Sequence, residues 1–261
     1  MSEPVNPAEV YERQFVPALF RHWGPVVAEA AALGEGDRVL DVACGTGALT
    51  LAAAERVLPS GEVVGVDPNE GMLEVARGHD AAIEWRAGQA ESLPFVDGRF
   101  DAVVSQFGFM FFEDKPRALA EMLRVLRPGG RLAMAVFNAI DHSPAYAVLA
   151  ELLYRRFGNA AADAIRAPFI SGDPDHLRAL CAQAELPEVA ITRHEGRVHF
   201  ASPRDLVRTE RACIWTLGGI LDEHQFEQLE RDIEESFAPF RDPSGALTFD
   251  LPALVLTTEK G

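Results

Sequence analysis

Cysteine is scarce: Cys44, Cys181 and Cys213 are the three in 261 residues. They are too few and too scattered for a disulfide framework or a metal knuckle. Positive charge is also short, with 24 Lys and Arg against 40 Asp and Glu and a formal net charge of −16. Nucleic acid or an anionic membrane as main partner is therefore disfavoured, since both need a cationic surface. No apolar run approaches the length of a membrane span, and the opening MSEPVNPAEV has no signal-peptide character. Internal repeats, low-complexity tracts and Gly/Ser linkers are missing too, which favours one elaborated domain over two. What is present is ordinary for a globular protein, 48% hydrophobic and 25% charged residues. The expectation is a soluble cytoplasmic enzyme or binding protein with a sizeable core.

Short apolar runs alternate with helical patterns through the first half, the signature of a mostly parallel sheet with helices on both faces. Strands are predicted at 39–43, 63–67, 101–106 and 131–137, with a weaker one at 82–86. Helices are predicted at 48–58, 70–77 and 115–126, the last stopped by Pro128-Gly129-Gly130. Residues 8–32 read as helical, with Phe15, Leu19, Trp23, Val26 and Val27 on one stripe. Phe15 and Trp23 are either core residues or walls of a ligand pocket. In the second half two β-like runs, 189–201 and 247–258, lie too far apart for a plain hairpin. The helical patterns between them, and those after Phe137, read as insertions. The expected organisation is an N-terminal helical segment (1–34), a ligand-binding core (35–137) and a C-terminal half (138–261) with a helical lid at about 139–170 and 203–246.

The informative stretch is RVLDVACGTGAL, residues 38–49. A buried strand runs into Gly45-Thr46-Gly47 and then a helix, so the backbone can turn tightly and present unpaired N–H groups to a ligand. Such a turn at the carboxyl end of the first strand is where open α/β sheets bind ligands. Asp67 follows the second strand, where a carboxylate can accept both hydroxyls of a ribose. A dinucleotide fits poorly. The G-x-G-x-x-G fingerprint would need Gly or Ala at Thr50, and Asp41 just before the loop would repel a pyrophosphate. An adenosyl compound with a cationic tail suffers neither objection.

RVLDVACGTGAL resembles motif I of the class I S-adenosylmethionine-dependent methyltransferases. VVGVDPNEGMLEVAR (63–77) is similar to that family's second block, and residues 87–137 resemble the third to fifth. The resemblance spans about residues 35–137 and is closest to the small-molecule branch of ubiquinone and menaquinone biosynthesis. It implies a Rossmann-like sheet with S-adenosyl-L-methionine as cofactor. By position, it implies that Gly45, Thr46 and Gly47 line the methionine portion and that Asp41 orients its amino group. Asp67 and Pro68 would meet the ribose, and Met72 would pack on the adenine. The family's usual aspartate in G-D-A-E-x-L-P-F is here Gln89, followed by Ala90, and an amide can still bond adenine. Gln106 would sit beside the methionine moiety and Phe107 next to the transfer centre.

The reaction so implied is in-line methyl transfer to a small-molecule acceptor. The same fold could instead use the cofactor for a different reaction, or serve as a non-catalytic cofactor-binding partner subunit. Acceptor identity, the atom methylated and oligomeric state are not encoded in these motifs. No metal is expected, because no H-x-x-x-H or similar spacing occurs. His142 follows the fifth strand at its carboxyl end and is the candidate catalytic proton acceptor, its ordinary pKa of about 6.5 suiting that role.

Overall fold

The computed structural model describes residues 6–79, 83–186, 188–213 and 216–261. Five strands fill the first half: β1 (Arg38–Val42), β2 (Glu62–Asp67), β3 (Glu84–Ala87), β4 (Phe100–Gln106) and β5 (Leu126–Phe137). They pair in parallel in the order β3-β2-β1-β4-β5. Helices α1 (Pro7–Val10) and α2 (Trp23–Ala30) precede the sheet, and α3 (Ala48–Val57), α4 (Glu70–Ala76) and α5 (Lys115–Val125) connect its strands. Apolar layers lie on both faces, so successive strand residues are buried on opposite sides. Val39 joins the layer that holds Leu49 and Ala53 of α3, and Leu40 the layer that holds Leu119 and Met122 of α5. That two-sided burial is why the parallel strands read as nearly unbroken apolar runs. Side-chain caps fix the starts of α4 and α5. Asn69 accepts from the Met72 N–H at 3.2 Å and Asp114 from the Arg117 N–H at 3.0 Å.

Boundaries shift where backbone chemistry competes with periodicity. Helix α5 ends at Val125, and Pro128-Gly129-Gly130 lies within β5 as an irregularity in its pairing with β4 rather than before the strand. The weak strand is β3; Ala82, its expected first residue, lies outside the described residues. The single helix expected over 8–32 is three pieces. After α1, residues Tyr11–Phe20 wind as a π-helix that contains Pro17, and α2 starts afresh at Trp23. Proline has no N–H to give, and the wider i→i+5 pattern takes over, as in the Arg21 N–H to Val16 carbonyl bond of 2.8 Å. That winding puts Tyr11 at centroid distances of 5.7 Å from Phe15 and 5.6 Å from Phe20.

The second half contributes α6 (Pro144–Phe157), α7 (Asn159–Arg166) and α8 (Pro174–Gln183), then strands β6 (Ala190–His194) and β7 (Arg197–Phe200). Helices α9 (Pro203–Ala212) and α10 (Glu223–Ser236) follow, and strands β8 (Leu247–Asp250) and β9 (Ala253–Glu259) close the chain. Each of the two expected β runs is broken in its middle, at Glu195-Gly196 and at Leu251-Pro252. The outer halves, β6 and β9, extend the main sheet to β3-β2-β1-β4-β5-β9-β6, with β9 antiparallel to both neighbours. The inner halves, β7 and β8, pair as a separate two-stranded sheet. The two runs are thus one bent antiparallel ladder carrying α9 and α10 between its inner strands.

Trp23 lies under that bend. It is 1% exposed, and a side chain at Gly196 would strike both its indole and the Leu251 carbonyl. Trp23 is therefore core rather than pocket wall, and it joins the N-terminal segment to the ladder. Trp23→Ala should cost about 3–5 kcal/mol of unfolding free energy in urea titration. A loss below about 1 kcal/mol would mean that the ladder holds its bend without the indole.

Candidate active site

Strand order reverses between β1 and β4, and the crevice at that switch point opens at the carboxyl ends of the strands. The turn after β1 is shaped by left-handed backbone at Ala43, Gly45 and Gly47, with φ of 58°, 56° and 100°. Ala43 adopts this conformation against its intrinsic preference, as residues at ligand-binding turns often do. Asp67, at the end of β2, locks the turn. Its Oδ2 accepts from the Gly45 N–H at 2.9 Å and its Oδ1 from the Asn69 N–H at 2.8 Å. Burial pushes its pKa up, and those two N–H groups work against the rise.

Asp41 is 1% exposed on β1. Its Oδ2 accepts from the Thr50 hydroxyl at 2.6 Å, while its Oδ1 is buried with no partner. Burial pushes its pKa up to about 7, with the Thr50 hydrogen bond opposing and the Asp67 charge adding. Three more buried oxygens nearby lack partners: Thr46 Oγ1, Ser105 Oγ and Gln106 Oε1. Buried groups of this kind are costly unless something satisfies them. Gln106 is held by its other end, its amide donating to the Phe20 carbonyl at 3.1 Å.

A cavity of about 660 Å³ runs from this turn across the strand ends, a volume typical of small-molecule sites. Its polar end is lined by Gly45, Asp67, Pro68, Met72, Gln89 and Ala90, and Gln106 and Phe107 follow toward its middle. A small recess beside it holds Asp41 and Thr46 and shares Gly45 and Gln106 with the main cavity. Gly47 lines neither space. It begins α3 in a left-handed conformation, and a Cβ there would strike the Trp85 ring, so the backbone geometry of the turn calls for glycine.

Most of the apolar end is built from segments that carried no motif. Tyr11, Phe15 and Phe20 come from the π-helix, Phe137 from the end of β5, Ile165 from α7 and Phe169 from the turn after it. Phe107, itself left-handed at φ 54°, stacks on Phe137 at 4.1 Å between centroids. Phe111 lines the cavity while 57% exposed, which puts it at the mouth. Tyr146 of α6 and Glu210 of α9 meet inside this end, the phenol donating to Glu210 Oε1 at 2.8 Å. Burial pushes the Glu210 carboxyl up to about 7, against the Tyr146 hydrogen bond. A sequence signal existed: Leu206, Val207 and Glu210 share the buried stripe of α9, so a carboxylate lies on an apolar helix face.

His142 is not in the site. It ends an exposed turn at Ile140–His142 and does not line the cavity. Position after β5 was the wrong guide, because the chain turns outward there and returns to the cavity only at Tyr146. Among the described residues no cluster of three or more His, Cys, Asp or Glu is placed to hold a metal ion. Nor is any described helix long and apolar enough to cross a membrane.

Residues 39–130 match the methyltransferase domain family. This stretch is similar to class I S-adenosylmethionine-dependent methyltransferase domains, and it supplies β1–β4 and the start of β5 to the seven-stranded sheet. Within the class, the similarity points to the ubiquinone and menaquinone branch. The chain is 42% identical over 135 residues to the demethylmenaquinone methyltransferase of Renibacterium salmoninarum, covering 52% of this chain and 56% of that protein. It is 42% identical over 126 residues to the ubiquinone/menaquinone biosynthesis C-methyltransferase UbiE of Pseudomonas fluorescens, covering 46% and 49%. The matched stretch thus spans about half the length of these relatives. The YcgJ protein of Bacillus subtilis shares the fold at TM-score 0.61 and 22% identity, over 92% of this chain and 98% of that one.

The raised carboxyl of Asp41 gives a pH signature with a definite sign. Below about pH 4 both folded and unfolded chains hold this proton. As pH rises toward 7 the unfolded chain loses it while the folded chain keeps it, so the contribution of Asp41 to stability declines and is lowest above about 7. Asp41→Asn removes that penalty. Its melting temperature relative to wild type should climb between about pH 5 and pH 8. A difference that stays level across that range would show that Asp41 is ionised in the folded protein.

Proposed function

We propose that the chain transfers the methyl group of S-adenosylmethionine to a small, ring-bearing apolar acceptor, a reduced quinone or a similar phenol, by in-line displacement. The observation that carries this reading is one continuous cavity with two chemically different ends. Its polar end presents carboxyls and unsatisfied acceptors, and its other end is lined by aromatic rings. When bound, the donor supplies a sulfonium methyl that a nucleophile can take directly.

The chain's own residues fit such a donor. Asp41 Oδ1 and Gln106 Oε1 are buried acceptors in want of a donor, suited to the ammonium of the methionine portion. Asp67 has lone pairs beyond those given to Gly45 and Asn69, enough to accept ribose hydroxyls. Met72 is buried at the cavity wall and offers an adaptable apolar surface for adenine, with the Gln89 amide beside it. No pyrophosphate would tolerate this end, where two carboxyls sit without a buried cation. The acceptor reading draws on the aromatic walls and on the relatives, whose names specify demethylmenaquinone and C-methylation. Such a reaction asks for alignment in a water-poor pocket more than for covalent chemistry by the protein.

S-adenosylhomocysteine at 100 times its dissociation constant should add about 2.7 kcal/mol of stability, and NAD should add none. Asp67→Ala should weaken that binding at least about tenfold in calorimetry, since hydrogen bonds to a charged acceptor are worth about 1.5–3 kcal/mol. Labelled S-adenosylmethionine with 1,4-naphthoquinol under anaerobic conditions should yield a ring-methylated product. A shift with NAD and none with the homocysteine compound would overturn the donor assignment. Donor binding without transfer to any quinol or phenol would overturn the acceptor assignment.

A further inference from the structure

The relatives and the motifs leave the acceptor end of the cavity without an assigned polar group. Its walls are largely aromatic; Tyr11, Cys213 and Thr216 also line the cavity, and the Tyr146–Glu210 pair brings a carboxyl among the rings. Tyr146 is 5% exposed and Glu210 4%, and they come from helices 64 residues apart. Burying a carboxyl costs several kcal/mol unless a cation compensates it. Among the described residues no lysine, arginine or histidine is buried. For packing alone, a leucine on the α9 stripe would serve better than a glutamate. A carboxyl there is expensive, is oriented by a single phenol and faces open volume, as a group kept for a ligand should be.

Resting on the acceptor reading above, we propose that Glu210, oriented by Tyr146, binds the ring hydroxyl of the acceptor and takes its proton. A carboxylate accepts more than one hydrogen bond, so the Tyr146 bond to Oε1 leaves capacity for a hydroxyl. The phenolic proton passes to Glu210, and the ring becomes an electron-rich phenolate. The S–CH3 bond of the donor then breaks as a C–CH3 bond forms at the ring carbon, and the sulfonium leaves as a neutral thioether. Glu210 returns its proton to the ring oxygen as the ring C–H proton departs to water. The net change is one methyl gained, one proton released and Glu210 regenerated.

Among the described residues, few titratable groups face Glu210. Tyr146 faces it from α6, Cys213 lies at the end of its own helix, and Tyr11 lies across the cavity on the π-helix. Burial holds the Tyr146 and Tyr11 phenols above their ordinary range, so neither titrates near neutrality. Helix α10 turns Phe226, Leu229 and Ile233 inward, while its Glu230 and Glu234 pair outward with Arg208 and Arg204. From β7, Val198 and Phe200 are buried, and His199 is exposed against Thr248.

Two readouts on the full chain test the proposal. The first needs no turnover: binding of 2-naphthol, in the presence of S-adenosylhomocysteine, by calorimetry across neutrality. Wild-type affinity should rise roughly tenfold as Glu210 ionises near pH 7, and Glu210→Gln should abolish the rise while S-adenosylhomocysteine binds as before. The second is kcat against pH with 1,4-naphthoquinol. Glu210→Gln should lower kcat at least about 100-fold and remove the acid limb. Tyr146→Phe should move that limb upward in pH with a smaller loss, because the lost hydrogen bond had favoured the carboxylate. His142→Ala should change neither. A wild-type naphthol affinity independent of pH, or a Glu210→Gln protein that keeps the rise or keeps kcat within about threefold, overturns the proposal. If the naphthol signature is present but no quinol is methylated, the hydroxyl-binding role stands and the acceptor reading falls instead.

Discussion

Three carboxyls, Asp41, Asp67 and Glu210, are taken out of water around one cavity, and no described cation is buried with them. Each is managed differently. Asp67 leans on two backbone N–H groups, Asp41 on the Thr50 hydroxyl, and Glu210 on the Tyr146 phenol. The order of their support matches their state. Two N–H bonds work against the burial that raises the Asp67 pKa, while burial outweighs the hydrogen bonds to Asp41 and Glu210 and raises both to about 7. A cavity so charged selects its ligands before any shape is considered, since anions are repelled and a sulfonium beside an ammonium is welcome.

The donor end was legible because its requirements act on the backbone. A left-handed turn calls for glycine at Gly45 and Gly47, the Asp67 carboxylate at the end of β2 holds that turn through the Gly45 N–H, and both leave fixed letters at fixed spacing. Even the mismatch was informative. Thr50 breaks the dinucleotide fingerprint, and the structure shows why it is there: its hydroxyl holds the buried Asp41. One letter both excludes pyrophosphate chemistry and maintains the carboxyl that would repel it. Gly47 adds a requirement that the motif does not spell out, because the Trp85 ring leaves no room for a Cβ at the turn.

The acceptor end was not legible, for reasons that are equally physical. Tyr146 and Glu210 are 64 residues apart, and nothing local marks their meeting. The ladder of β6–β9 read as two continuous strands, because apolar alternation does not record where a strand changes sheet. Gly196 and Pro252 mark the breaks, yet a lone glycine or proline in such a run signals equally an edge or a bulge. Proline within the N-terminal helical pattern was likewise visible, while the π-winding that brings Tyr11, Phe15 and Phe20 together depends on packing against Phe107 and Phe137. His142 was chosen by chain position and residue type, and chain position is a poor guide once an insertion leaves the sheet.

These two kinds of legibility divide the molecule as the comparisons do. The methyltransferase domain match ends at residue 130, and the relatives align over about half of either chain. Beyond it lie Phe137, Tyr146, Ile165, Phe169 and Glu210 of the apolar end, the rest of which comes from the π-helix at the N-terminus and the loop after β4. A donor common to many reactions demands one geometry, so its sequence is constrained. An apolar pocket demands only volume and shape, which many combinations of Phe, Ile and Leu supply. Selectivity among acceptors must then rest on the rare polar group inside that volume, because a missing hydrogen bond to a buried carboxyl discriminates far more strongly than a methylene of misfit. On the proposed reading that leverage falls on Glu210, which lies beyond the stretch matched by the methyltransferase domain family.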